Sequence, residues 1–225
     1  MKLAITALAR RTLLVGIIAL PFLQGCVPIM VAGIGGTALV VTDRRSAGTV
    51  VEDEGIEWKA RDLMGKNFGS FNHISVTAYN RTVLLTGEVQ DENVKAEAGR
   101  LAGSVSNVRG VINELVIGPA SGIGGRSNDT AISANIKTRF LGNKVFSANR
   151  VKVVTEAGTV FLLGIVTRAE GDQATEIART SKGVKKVVRA FEYINESEAQ
   201  AVDAITTENN ADSPPPDSDF PPEAP

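Results

Sequence analysis

Along residues 82 to 89 the chain reads TVLLTGEV, and along residues 159 to 166 it reads TVFLLGIV. Five of the eight positions are identical, and Val83, Leu85, Gly87 and Val89 alternate in step with Val160, Leu162, Gly164 and Val166. Side chains two apart share one face of a strand, so the matching positions describe a shared core face. Gly87 and Gly164 fall at the same place in both copies and are assigned a structural role.

Extending outward from this anchor gives two units of the same order. Ile56, Ala60 and Met64, and Ile132, Ile136 and Phe140, are spaced by four, which predicts an amphipathic helix opening each unit. Asp53 and Asp129 read as N-caps, whose carboxylates satisfy free N–H groups. Strands follow over Ile74 to Tyr79 and Val151 to Thr155, each with a hairpin turn, at Asn80-Arg81 and Glu156-Ala157-Gly158. After the matched strands come helices over about 92 to 105 and 169 to 181. Gly110 and Gly183 precede last strands over Val111 to Ile117 and Lys186 to Ile194.

The predicted class is α+β: two tandem α-β-β-α-β units, each a three-stranded mixed sheet with two helices on one face. The boundaries are 50–118 and 127–195. The Gly/Pro/Ser-rich stretch 119–126 reads as a linker. From Glu196 onward there are eight acidic residues, no Lys or Arg, and a Pro-rich end, so 196–225 reads as a disordered acidic tail.

The N-terminus reads by processing rather than by fold. Lys2, Arg10 and Arg11 precede an apolar run from Thr12 to Phe22, too short to span a bilayer but suited to a signal peptide over 1–25. Leu23-Gln24-Gly25-Cys26 is similar to a bacterial lipobox, which makes Cys26 the lipid anchor. Val27 stands where an Asp would resemble an inner-membrane retention signal, so the expected home is the outer membrane, periplasmic face. Residues 26–49 read as a lipidated apolar tether. Cys26 is the sole cysteine, so no intramolecular disulfide forms.

The net charge of −1 hides a division. Residues 50 to 118 carry seven Lys/Arg against ten Asp/Glu, and residues 127 to 195 carry eleven against six. Only the second unit can attract an anionic surface. On its first helix Leu141 lies about 140° from the centre of the buried stripe, at 100° per residue. Beside it stand Ala134, Lys137 and Thr138, with Ala131 further round. An outward apolar residue beside a lysine suits a bilayer interface. A stray surface leucine, or one covered by the first unit, is the other reading.

Catalysis finds little support. His73 is the only histidine, no Gly-x-Ser-x-Gly elbow or Walker sequence is present, and Glu52-Asp53-Glu54 reads as charge favouring a helix start. No enzyme activity, cofactor, metal or nucleic-acid partner is expected.

The paired units with their Val-x-Leu-x-Gly-x-Val strands, together with the lipobox, Thr42-Asp43-Arg44-Arg45-Ser46-Ala47-Gly48-Thr49 and Ser127-Asn128-Asp129-Thr130, resemble the dual BON-domain outer-membrane lipoproteins. The resemblance implies that the first helix of the second unit binds anionic phospholipids, through Ala131, Ala134, Lys137, Thr138 and Leu141. It also implies support of envelope integrity, division sites included. At Ala131 the family pattern can place an aromatic, which this chain lacks. The alternative is a protein-binding adaptor for envelope-assembly machinery, with no intrinsic lipid recognition.

Overall fold

The computed structural model describes residues 43–69, 71–119 and 122–211. The signal peptide, Cys26, the tether up to residue 42 and the tail from residue 212 lie outside the described residues. The first unit runs α1 (Ala47–Asn67), β1 (His73–Tyr79), β2 (Thr82–Val89), α2 (Glu92–Gly103), β3 (Gly110–Asn113) and β4 (Val116–Ile117). The second runs α3 (Ile123–Leu141), β5 (Lys152–Glu156), β6 (Thr159–Val166), α4 (Arg168–Arg179) and β7 (Lys186–Tyr193), followed by α5 (Glu196–Ala211). In each unit a hairpin pairs the first two strands antiparallel, and a helical crossover lays the last strand parallel to the middle one. The last strand of the first unit is broken at Glu114–Leu115, where Leu115 turns into the core.

The helices cover one face of each sheet. Ile56, Ala60 and Met64 meet Val76, Val83, Leu85, Val89, Ala98 and Ala102 in the first core. Ile132, Ile136 and Phe140 meet Val153, Val160, Leu162, Val166, Ala174 and Ile177 in the second. A third cluster joins the two opposite faces: Tyr79 and Leu84 pack on Phe161 and Leu163, with Ile112, Val154 and Val188 around them. The units therefore form a sheet-on-sheet sandwich with helices outside, and β2 and β6 are buried on both faces. Polar contacts rim it: Lys152 Nζ donates to the Ala78 carbonyl at 3.2 Å, Asn80 Nδ2 to Glu192 Oε2 at 2.6 Å, and His73 Nε2 lies 3.6 Å from Glu156. All three clusters lie within the compact unit Val40–Ser213, which thus carries its own core, the condition for a piece of chain to fold by itself.

Four expectations are corrected. Asp53 and Asp129 do not cap helices, because α1 starts at Ala47 behind the Ser46 cap and α3 starts at Ile123. Both aspartates sit inside their helices, buried, and each reaches a hairpin turn. Asp53 accepts from the Asn80 and Arg81 N–H groups at 2.7 Å each, and Asp129 from those of Ala157 and Gly158 at 2.8 Å each. Glu52 and Glu54 likewise lie within α1 rather than before it, and residues 47–49 and 123–126 are helical rather than tether and linker. Finally, residues 196–211 form α5 where disorder was expected, with Ala199 buried at 3% exposure.

The two matched glycines stand where a neighbouring strand leaves no room. A Cβ at Gly87 (φ +114°) would lie 2.0 Å from the His73 carbonyl oxygen, and one at Gly164 2.5 Å from that of Arg150.

Candidate membrane-facing site

Helix α3 separates its residues sharply. Ile132, Ile136 and Phe140 are buried, whereas Ala131, Ala134, Lys137, Thr138 and Leu141 are all exposed. Leu141, at 76% exposure, is not covered by the first unit. Arg139, next to these residues, is committed to holding α3 on α4: it donates to the Ile177 carbonyl, to Ser181 Oγ and to Thr180 Oγ1. Lys137 and Lys144 form no ion pair with any side chain among the described residues.

The loop after α3 adds a residue that the helix pattern does not reveal. Asn143 Oδ1 accepts from the Val145 and Phe146 N–H groups at 2.7 and 3.2 Å, while its Nδ2 donates to the Phe140 and Phe146 carbonyls. This side-chain-built turn buries Phe146 edge-on against Phe140 and turns Val145 outward, 51% exposed. Leu141, the last residue of α3, and Val145 in the loop after it are thus both exposed, as are Lys137 and Lys144. The available signal was Gly142-Asn143, a helix stop followed by an Asx turn.

Beside Leu141 a cleft of about 530 Å³ opens between the N-terminal arm (residues 43–46), α3 and β5. Its walls include Arg45, Lys137 and Lys152, and Val151 and Val153 are apolar lining residues. The arm is fixed. Arg44, with only 2% of its side chain exposed, donates to Glu170 Oε2 at 2.6 Å and forks onto Asp203 of α5 at 3.0 and 3.1 Å. Arg150 joins the same Glu170 and Asp203 at 2.5 and 2.9 Å. Burial pushes the Glu170 carboxyl up, but the hydrogen bonds from Arg44, the Thr167 N–H and Arg150 together hold it below the usual carboxylate range. Arg45 pairs with Asp43 and with Asp53 of α1, and lies 4.1 Å above the Tyr79 ring. Burial pushes the Tyr79 phenol up to about 12.

Among the described residues no group of three or more His, Cys, Asp or Glu side chains is placed to hold a metal, and no helix is long and apolar enough to cross a membrane. The exposed surface of the first unit includes Trp58 and Val51 of α1, at 67% and 69% exposure.

Comparison with known proteins matches these units directly. The BON domain family model matches residues 52–119 and 128–195. The chain is 36% identical over 176 residues to the outer membrane lipoprotein DolP of Haemophilus influenzae, covering 77% of this chain and 91% of that protein. It is 38% identical over 154 residues to a 21 kDa hemolysin of Actinobacillus pleuropneumoniae, covering 68% and 79%. To the osmotically-inducible protein Y of Escherichia coli it is 30% identical, covering 66% and 76%. Of these relatives, the Haemophilus protein is an outer membrane lipoprotein. With two matched domains and a relative of this similarity, the chain belongs to the BON-domain family as a DolP-like dual-BON protein.

Proposed function

We propose that the protein is held by acyl chains on Cys26 at the periplasmic face of the outer membrane, and that its second BON domain binds anionic phospholipids through the end of α3. The observation that carries this reading is the outward pair Leu141 and Val145 beside two lysines without ion pairs, on the domain that carries the positive charge. Fully burying a leucine or valine is worth about 1.5–3 kcal/mol, and each lysine near an anionic surface about 1 kcal/mol. Partial insertion of the pair with two lysines therefore supplies roughly 4–6 kcal/mol, a dissociation constant between millimolar and tens of micromolar. Contact that weak is useful to a domain tethered at the bilayer, where the effective concentration of lipid is high. Concentrating the protein in anionic lipid would support envelope integrity, division sites included.

The test is sedimentation of residues 40–213 with phosphatidylglycerol-containing or purely zwitterionic vesicles. Binding to the anionic set alone, weakened by salt and by Leu141→Glu, is expected. Equal binding to both sets, or none, refutes the reading. For the anchor, Cys26→Ala in the full chain should release the protein from membranes. Persistent membrane association would assign the anchoring to residues 27 to 42.

One observation favours the adaptor reading for the first domain alone. Trp58 and Val51 lie on the same outward face of α1, and a large exposed aromatic is a common anchor of protein interfaces. Trp58→Ala should leave vesicle binding unchanged and reduce association with any envelope-assembly partner.

A further inference from the structure

We infer that the cleft beside Leu141 is a headgroup pocket for one anionic phospholipid, and that the arm following the tether forms one of its walls. The inference rests on the lipid-binding reading above and goes past it, from adsorption on a helix surface to a discrete site. At about 530 Å³ the cleft is within the range of roughly 300–1,000 Å³ typical of small-molecule sites. Its walls carry three cations, Arg45, Lys137 and Lys152, against one acid, Asp43. Asp43 is bound to Arg45 through 2.7 and 3.2 Å contacts, so these two charges answer each other within the wall and Lys137 and Lys152 are left to face a ligand.

The three cations differ in what they can offer. Arg45 is locked by Asp43, Asp53 and the Tyr79 ring, so its charge is answered by two carboxylates and it serves as a fixed wall. Lys152 spends one contact on the Ala78 carbonyl and another on Glu57 at 3.5 Å, but stays 39% exposed with three donors on its ammonium. Lys137 has no ion pair among the described residues and is exposed. A phosphodiester between two lysines meets that arrangement, and the ammonium of a zwitterionic headgroup is repelled by it. Asn149, exposed at the cleft, offers an amide to headgroup hydroxyls. Because Leu141 lines the same cleft, acyl chains of a lipid whose phosphate sits there leave along the residue that enters the bilayer.

The site is incomplete without the arm. Arg45 belongs to the stretch that joins the membrane anchor to the fold, and Arg44 pins that stretch to Glu170. A bound headgroup thus makes contact with both the arm and the lipid-binding domain.

The experiment is an amide-resolved NMR titration of residues 40–213 with dihexanoyl phosphatidylglycerol below its micelle concentration, with inorganic phosphate as a parallel titrant. Saturable shifts at Asn149, Val151, Lys152 and Val153, together with Lys137 and Leu141, are expected with the lipid and not with phosphate. Asn149→Glu should weaken this binding by about fivefold. Lys182→Gln, the same charge change outside the cleft, should alter it by less than about twofold. Shifts confined to residues 137–145 overturn the pocket and leave surface lipid binding standing. Equal shifts with phosphate overturn lipid specificity. Failure of anionic vesicles to bind in the sedimentation assay, with no shifts here, removes both readings.

Discussion

Asp129 offers a sharp test of how each domain is held. Its carboxylate, in a side chain that is nearly inaccessible, accepts from two consecutive turn N–H groups at 2.8 Å each. Those residues, Ala157 and Gly158, both hold positive φ (+50° and +81°), the backbone of a type I′ hairpin turn. For a residue with a side chain this conformation costs about 1–2 kcal/mol. The carboxylate therefore stabilises a turn that the sequence Ala157-Gly158 disfavours at one of its two positions. Hydrogen bonds to a charged acceptor contribute about 1.5–3 kcal/mol each, and Asp129→Ala removes two while leaving both donors short of a partner. Allowing for water reaching the loosened turn, the expected loss is about 3–4 kcal/mol, a large part of a typical domain stability. With a urea m-value of about 2 kcal/mol/M, the unfolding midpoint of residues 40–213 should fall by roughly 1.5–2 M. Asp129→Asn keeps one acceptor and should lose about half as much. A fall corresponding to less than about 1 kcal/mol for Asp129→Ala would refute the assignment, since surface changes have effects of that order.

Three further outcomes follow from the same geometry. Ala157→Gly should raise stability by about 0.5–1 kcal/mol, because relief at positive φ exceeds the added unfolded-state entropy; a lower thermal midpoint would contradict this. Gly87→Ala should destabilise by several kcal/mol or prevent folding, since its Cβ meets a backbone carbonyl; near-neutral behaviour in urea would mean the strands can part there cheaply. Glu170 has a folded-state pKa below its unfolded value, so its contribution is present above the ordinary carboxylate range and is lost as pH falls through the folded value. Glu170→Ala should cost about 3–5 kcal/mol at neutral pH by leaving Arg44 and Arg150 short of an anion. It should also flatten the acid limb of a stability–pH profile, and an unchanged limb would refute the role.

The part of this architecture visible in the sequence is the part made by short-range periodicity. The repeated face Val83-Leu85-Gly87-Val89 and the stripes Ile56-Ala60-Met64 and Ile132-Ile136-Phe140 lie where spacing alone puts them. The second face of the same strands, with Leu84, Phe161 and Leu163, was not read from the sequence, because what covers it is the other domain's sheet. Asp53 and Asp129 were misread for a related reason. An aspartate ahead of an apolar stripe is the local mark of a helix start, whereas their true partners lie 27 to 29 residues away across a hairpin. Helix α5 was hidden by its acidity: its composition suggests a solvated chain, yet Asp203 is fixed by Arg44, 159 residues earlier. At the site, Leu141 was legible from helix angle, while Val145 depended on the turn that Asn143 builds.

The consecutive arginines of the arm point to different domains: Arg44 to Glu170 in the second, Arg45 to Asp53 in the first. In mechanical terms the arm is a cleat with two fixings. Tension drawn through the tether enters both halves of the sandwich in parallel, rather than passing through α1 into the first and across the apolar seam into the second. With the chain anchored at Cys26 as proposed, a pull on the anchor would load two buried ion pairs, one in each domain, before it reached the seam between the sheets.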